Sequence, residues 1–330
     1  MHLKPLHQQV IAITGASSGI GLLTARKAAA GGARVFLISR NATALEQATR
    51  AIEAEGGVAA WHAADVGDRD QLRRAADAVV DRFGRIDSWV NNAGVAIYAP
   101  LLETPLDEHE RLFRTNYFGV VNGAQVAVPY LAAERGALIS VGSIAGDMPS
   151  PIMGAYAASK HAIHAFITAL RIELKAAGQP VSVTLIKPSG MTTPIAGHAA
   201  NHQAGEARIP PPPYDPELTA NAILHAATHR VRDMTVGGLG RMEVLFAAHF
   251  PALFERLAPI VVPFLSDRSR APTPGNNLDR PGEDGAMRSP TEHGRKASLS
   301  LTARLHPAVT WAVLGSAATA AAWHLRRRFR

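Results

Sequence analysis

Val10-Ile11-Ala12-Ile13-Thr14-Gly15-Ala16-Ser17-Ser18-Gly19-Ile20-Gly21 runs from an unbroken apolar stretch through a glycine-rich turn into a helix-length segment over 20–30. An apolar run of this brevity reads as a strand buried on both faces, and glycines at the turn let the backbone approach a bulky anion. A helix beginning there adds unpaired N–H groups and a favourable dipole. Gly15, Ser17, Ser18, Gly19, Ile20 and Gly21 are therefore the candidate cradle for a dinucleotide pyrophosphate. The spacing is Gly-x-x-x-Gly-x-Gly, not Gly-x-Gly-x-x-Gly, and a lone turn of this kind is weak without its flanking strand and helix.

Working outward, apolar runs at 34–38, 58–62, 88–90, 137–141 and 181–186 alternate with helix-length segments at 42–55, 69–83, 106–131 and 155–177, and a final strand is expected around 234–236. That alternation predicts an α/β fold with a doubly wound parallel sheet of Rossmann type, a three-layer α/β/α sandwich. One catalytic domain over 1–265 follows, with a mobile lid over about 189–230, where the pattern loosens into Pro210–Pro213.

Chemistry-bearing residues fall at the ends of these strands. Where a carboxylate would accept both ribose hydroxyls, the chain reads Ser39-Arg40, and a guanidinium there suits a 2′-phosphate, favouring NADP(H) over NAD(H). The competing reading is a solvated arginine at a strand end. Asp65-Val66 could meet the adenine, or Asp65 could cap the following helix. Asn91-Asn92-Ala93-Gly94 follows another strand, and Ser143 precedes Tyr156 by thirteen positions. Tyr156 and Lys160 stand one helical turn apart on one face, so the ammonium can lower the phenol's pKa. Singly, each is open to a bland reading as a cap, turn or surface residue. Their joint order describes an oxidoreductase site.

The chain resembles a short-chain dehydrogenase/reductase of the compact single-domain type over roughly residues 8–260, on Thr14 to Gly21, Asp65, Asn91 to Gly94, Asn116, Ser143, Tyr156 and Lys160. The resemblance implies reduction of a carbonyl or the reverse. Tyr156 would be the general acid/base, and Lys160 would stabilise phenolate and hold the nicotinamide ribose. Ser143 would orient the substrate oxygen, and Asn116 would hold a water leading to Lys160. It also implies cofactor contacts from Asn92, Ala93, Gly94, Pro188 and Thr193. Ser189 departs from the family's usual glycine after Pro188, which leaves the backbone path of that loop open.

With no cysteine, thiolate sites and disulfides are excluded. Residues 1–9 contain no apolar signal core, so a cytoplasmic protein is expected. The net charge is +7, of which residues 266–330 supply +6, so the folded part lacks the basic stripe of a nucleic-acid binder. His161/His164 and His198/His202 have no completing carboxylate in their spacing, and no metal is expected. Residues 266–304 read as a disordered linker, and 305–330 as an Ala-rich apolar helix with a basic end, a candidate membrane contact. The apolar stretch 244–265, interrupted by prolines, reads as core or pocket packing, with a headgroup-dipping surface as the minority reading.

The leading expectation is an NADP(H)-dependent oxidoreductase acting on a fairly apolar ketone or secondary alcohol, assembled as a homodimer or homotetramer. The alternative is a catalytically silent NADP-binding scaffold recruited to a membrane or partner by its tail.

Overall fold

A computed structural model describes residues 3–282, 284–305 and 310. Seven parallel strands form the central sheet: β1 (Val10–Thr14), β2 (Arg34–Ser39), β3 (Val58–Ala63), β4 (Ser88–Asn91), β5 (Ala137–Val141), β6 (Ser182–Pro188) and β7 (Asp233–Val236), in the order 7-6-5-4-1-2-3. The order reverses between β1 and β4, which opens a crevice at the carboxyl ends of these strands. The glycine turn, the Asn91–Gly94 run and Ser143 all follow strands there.

Alternation along each strand decides which core a side chain joins. Ile11, Ile13, Val35 and Leu37 enter one apolar cluster, with Leu22 and Ala25 of helix α1 (Gly19–Ala30) and Leu45 and Ile52 of α2 (Ala42–Ala54). Val10, Ala12, Phe36 and Ile38 enter the cluster on the opposite face, with Leu72 and Val79 of α3 (Arg69–Phe83). Side chains two residues apart share a face, so both faces of a wholly apolar strand need a helical cover. Asp68, not Asp65, caps α3, accepting from the Asp70 and Gln71 amides.

The segment 106–131, expected as one long helix, is divided. Helix α4 (Leu106–Phe113) leads into a π-helical turn, Arg114–Phe118, before α5 (Gly119–Glu134). One extra residue in the turn rotates Asn116 inward, a distortion that often marks a functional position. Helix α6 (Gly154–Ala176) carries Tyr156 and Lys160. Part of the segment expected as lid is a core helix: α7 (Glu217–Thr228) buries Ile223, Ala226 and Ala227, at helical spacing, against the α1 side of the sheet.

Two further departures concern the C-terminal third. Helices α8 (Gly238–His249) and α9 (Pro251–Leu257) bury little of the stretch expected to pack in the core; Met242, Phe250, Leu253, Ile260 and Phe264 are exposed. The described residues of 266–304, a segment whose composition reads as a disordered linker, lie against the domain. Leu278 and Leu301 are buried, Arg288 forms a fork with Asp215, and the segment ends in the short helix α10 (Leu299–Leu305). Composition averages over the segment, whereas these few spaced anchors supply the burial. Among the described residues no helix is long and apolar enough to cross a membrane. Apart from Thr310, the expected apolar tail after Leu305 lies outside the described residues.

Candidate active site

The glycine turn is fixed by close approach. Gly15 adopts φ +64°, which an L side chain rarely does, and a Cβ on Gly21 would collide with the Gly15 carbonyl oxygen. Thr14 Oγ1 accepts from the amides of Asn92 and Ala93, at 3.0 and 3.2 Å, while Asn92 Nδ2 donates to the Thr14 and Gly15 carbonyls. The Asn91–Gly94 run is thus a brace that holds the turn open. Ser18 is the N-cap of α1, and its side chain forms no capping bond.

A cavity runs from this turn to the first two turns of α6. Gly15, Ser17, Ser18, Gly19 and Ile20 line it at one end, followed by Ser39, Arg40, Asp65 and Val66. Asn92, Ala93 and Gly94 continue the wall toward Ser143, Tyr156 and Lys160, and Pro188 and Thr193 close the far side. Gly21 and Asn116 lie behind the lining. The structure therefore brings the proposed site residues to one crevice. A glycine cradle without Cβ atoms, next to a helix N-terminus, fits a nucleotide pyrophosphate.

At the catalytic end, Ser143 closes the loop after β5, its Oγ accepting from the Ala145 amide at 3.1 Å. Burial pushes the Tyr156 phenol up to about 12, outweighing the neighbouring Ser143 hydroxyl, which favours phenolate. Lys160 Nζ sits 5.4 Å from the Tyr156 ring centroid and donates to the Val141 carbonyl at 3.1 Å. Burial lowers Lys160 to about 8. The lowering of Tyr156 by Lys160 expected from their spacing is therefore not found in this state, because desolvation dominates both groups. Asn116, fully buried, accepts from the Val95 amide and donates to the Val95 carbonyl and Ser159 Oγ, tying three elements together behind Lys160.

The Ser189 departure has a local explanation. Its Oγ donates to the Val236 carbonyl at 3.1 Å, in space left by Gly237 and Gly240, whose Cβ atoms would crowd the Ser189 side chain. Thr193 is buried beside Gly19. Arg40 lies at the end of β2 as expected, with its guanidinium bonded to the carbonyls of Asn277 and Leu278.

Several lining residues escaped sequence reasoning. Tyr98 is fully buried beside Tyr156, its hydroxyl has no partner among the described residues, and burial raises its pKa. Glu243 of α8 lines the cavity, with burial raising its carboxyl. Asn277, Pro281, Gly282 and Asp284 form part of the wall from a segment with no local motif.

A doubly wound sheet with this crevice and side-chain set defines a dinucleotide-binding oxidoreductase. The short chain dehydrogenase family model matches residues 9–204. An uncharacterized oxidoreductase, YxnA of Bacillus subtilis, is 42% identical over 260 residues, covering 78% of this chain and 73% of its own. Among solved structures, a metagenomic short-chain oxidoreductase in complex with NADP is 30% identical with TM-score 0.58, covering 69% of this chain and 96% of its own. A short chain dehydrogenase/reductase from Burkholderia phymatum in complex with NAD is 25% identical with TM-score 0.64, covering 76% and 96%. This chain belongs to the short-chain dehydrogenase/reductase family.

Proposed function

We propose that the chain is an NADP(H)-dependent oxidoreductase that interconverts a carbonyl and a secondary alcohol on a fairly apolar substrate. The observation that carries this reading is the Ser143–Tyr156–Lys160 cluster at the end of a cavity that begins at the glycine turn. Bound nicotinamide would supply or accept hydride. Tyr156 Oη would donate its proton to the oxygen as negative charge develops there, and Ser143 Oγ would donate a second hydrogen bond to the same oxygen. A phenol near 12 is a weak acid at neutral pH. Its proton transfer needs a charged Lys160, so Lys160 must be protonated when the carbonyl is reduced. Asn116 fixes the backbone of Val95 and the Ser159 hydroxyl, which sets the position of the α6 turn that carries both groups.

Ile144, Met148, Met153, Ile195 and Ile209 line the substrate end and support an apolar substrate. Arg40 at the end of β2 supports NADP(H) over NAD(H), since a guanidinium can pair with a 2′-phosphate. Titration with NADPH and NADH, repeated on Arg40→Asp, tests this: NADPH binding should weaken at least tenfold in the variant. Tyr156→Phe should retain NADPH binding and lose turnover on a ketone panel. Turnover that survives in Tyr156→Phe removes the proposed proton donor.

Two assembly proposals accompany this reading. Exposed Phe118 next to α5 and Ile172 on α6 support a homodimer or homotetramer through those helices, to be read by light scattering. The exposed apolar face of α8 and α9 supports membrane contact together with residues 305–330; carbonate-resistant retention of the full chain checks it, and a fully extractable chain refutes it.

A further inference from the structure

We propose that the described residues 276–282 and 284–289 form an autoinhibitory strap that occupies the anion-binding groups of the cofactor site, so that nucleotide entry requires the strap to lift. This rests on the NADP(H) reading above.

The strap meets both ends of the site expected to hold phosphate. At the glycine turn, the Gly19 amide donates to the Ala286 carbonyl at 2.8 Å, and the Gly285 amide donates to the Ser17 carbonyl at 2.9 Å. At the end of β2, Arg40 donates to the Asn277 and Leu278 carbonyls, which stand where a 2′-phosphate would pair. Carbonyl oxygens bear partial negative charge, so they satisfy an amide and a guanidinium as an anion would. Asp284 also lines the same cavity, and its negative charge would oppose a phosphate there.

The docking is built from a few points. Leu278 is 4% exposed and packs in the cluster containing Val95, Leu112 and Ala155, against which Tyr156 also rests. Asn277 N donates to the His198 carbonyl and Ser289 N to the Thr192 carbonyl, both at 2.9 Å, so the strap is stitched to the loop after β6. Arg288 pairs with Asp215 at 2.8 Å. Between these points the described residues form no helix or strand, so the strap can detach without unravelling a core element.

Two substitutions weaken the docked strap by different means. Leu278→Ala removes its buried anchor. Gly285→Ala acts through the backbone: Gly285 has φ +103° and its Cβ position faces open space, so alanine strains the docked conformation without a clash. A nucleotide that must displace the strap binds with an affinity reduced by the fraction of time the strap is open. Each variant of the full chain should therefore bind NADPH about five- to thirtyfold more tightly than the unmodified chain. NADPH should also speed backbone hydrogen exchange across 276–289. Unchanged affinity in both variants overturns the proposal. Slower exchange on NADPH binding also overturns it, because the strap would then be a clamp closed over bound nucleotide. Failure of all three proteins to bind NADPH is a separate outcome that refutes the cofactor reading and the strap with it.

Discussion

Lys160→Met should stabilise the cofactor-free protein at neutral pH while abolishing catalysis. Lys160 is 4% exposed, among the described residues has one carbonyl partner and no carboxylate, and burial lowers it from 10.5 to about 8. The unfolded chain then binds more protons than the folded chain between about pH 8 and 10.5, so stability rises with pH across that window. Below it the protonated lysine costs the fold about 3 kcal/mol. Methionine removes that cost but leaves the Val141 carbonyl unpaired, which returns about 1 kcal/mol. The expected gain is about 2 kcal/mol at pH 7, shrinking to about zero by pH 9.5. The Tyr156 phenol, pushed up to about 12, does not titrate in this window. Urea unfolding of both proteins at the two pH values measures the difference. A variant less stable at pH 7, or a gain independent of pH, would refute the argument that desolvation governs Lys160. The same cost disappears when a bound anion or hydroxyl partners the ammonium, so cofactor binding should favour its charged form.

Tyr98→Phe removes a hydroxyl that is buried without a partner, and thermal unfolding should show stability unchanged or raised by up to about 1 kcal/mol. Asp87→Ala should cost about 3 kcal/mol in urea unfolding, because the buried carboxylate accepts from the Val10 amide at 2.7 Å and pairs with Lys4 and Arg85. Gly21→Ala should weaken NADPH binding at least tenfold by calorimetry, since the new methyl group is driven into the Gly15 carbonyl and the Asn92 amide.

Much of the site was legible because its signals are local. The turn between β1 and α1 declares itself through glycines at fixed offsets, and the helical spacing of Tyr156 and Lys160 fixes their shared face. The inward turn of Asn116 was not legible, because a π-helical turn leaves the apolar pattern of 106–131 nearly unchanged while rotating one side chain. Nor was the pKa balance. Sequence spacing brings a lysine beside a tyrosine and so suggests charge stabilisation, but the sign also depends on how much water surrounds both groups. Tyr98 carries no motif, and its place beside Tyr156 arises from packing among Met153, Ala199 and Ile209.

The sequence by itself determined the layered α/β class, the glycine cradle and the candidate catalytic side chains. The first two follow from apolar period and turn chemistry, and helical geometry sets the shared face of the candidate pair Tyr156 and Lys160; all act within a few residues. Only the tertiary structure decided what reaches the crevice from far along the chain. Arg40 meets carbonyls more than 230 positions away, and the described residues of 266–304 lie on the domain although the composition reads as linker. Contacts of that separation depend on where the sheet and loops place a few anchors such as Leu278 and Asp215, and average composition carries no record of it.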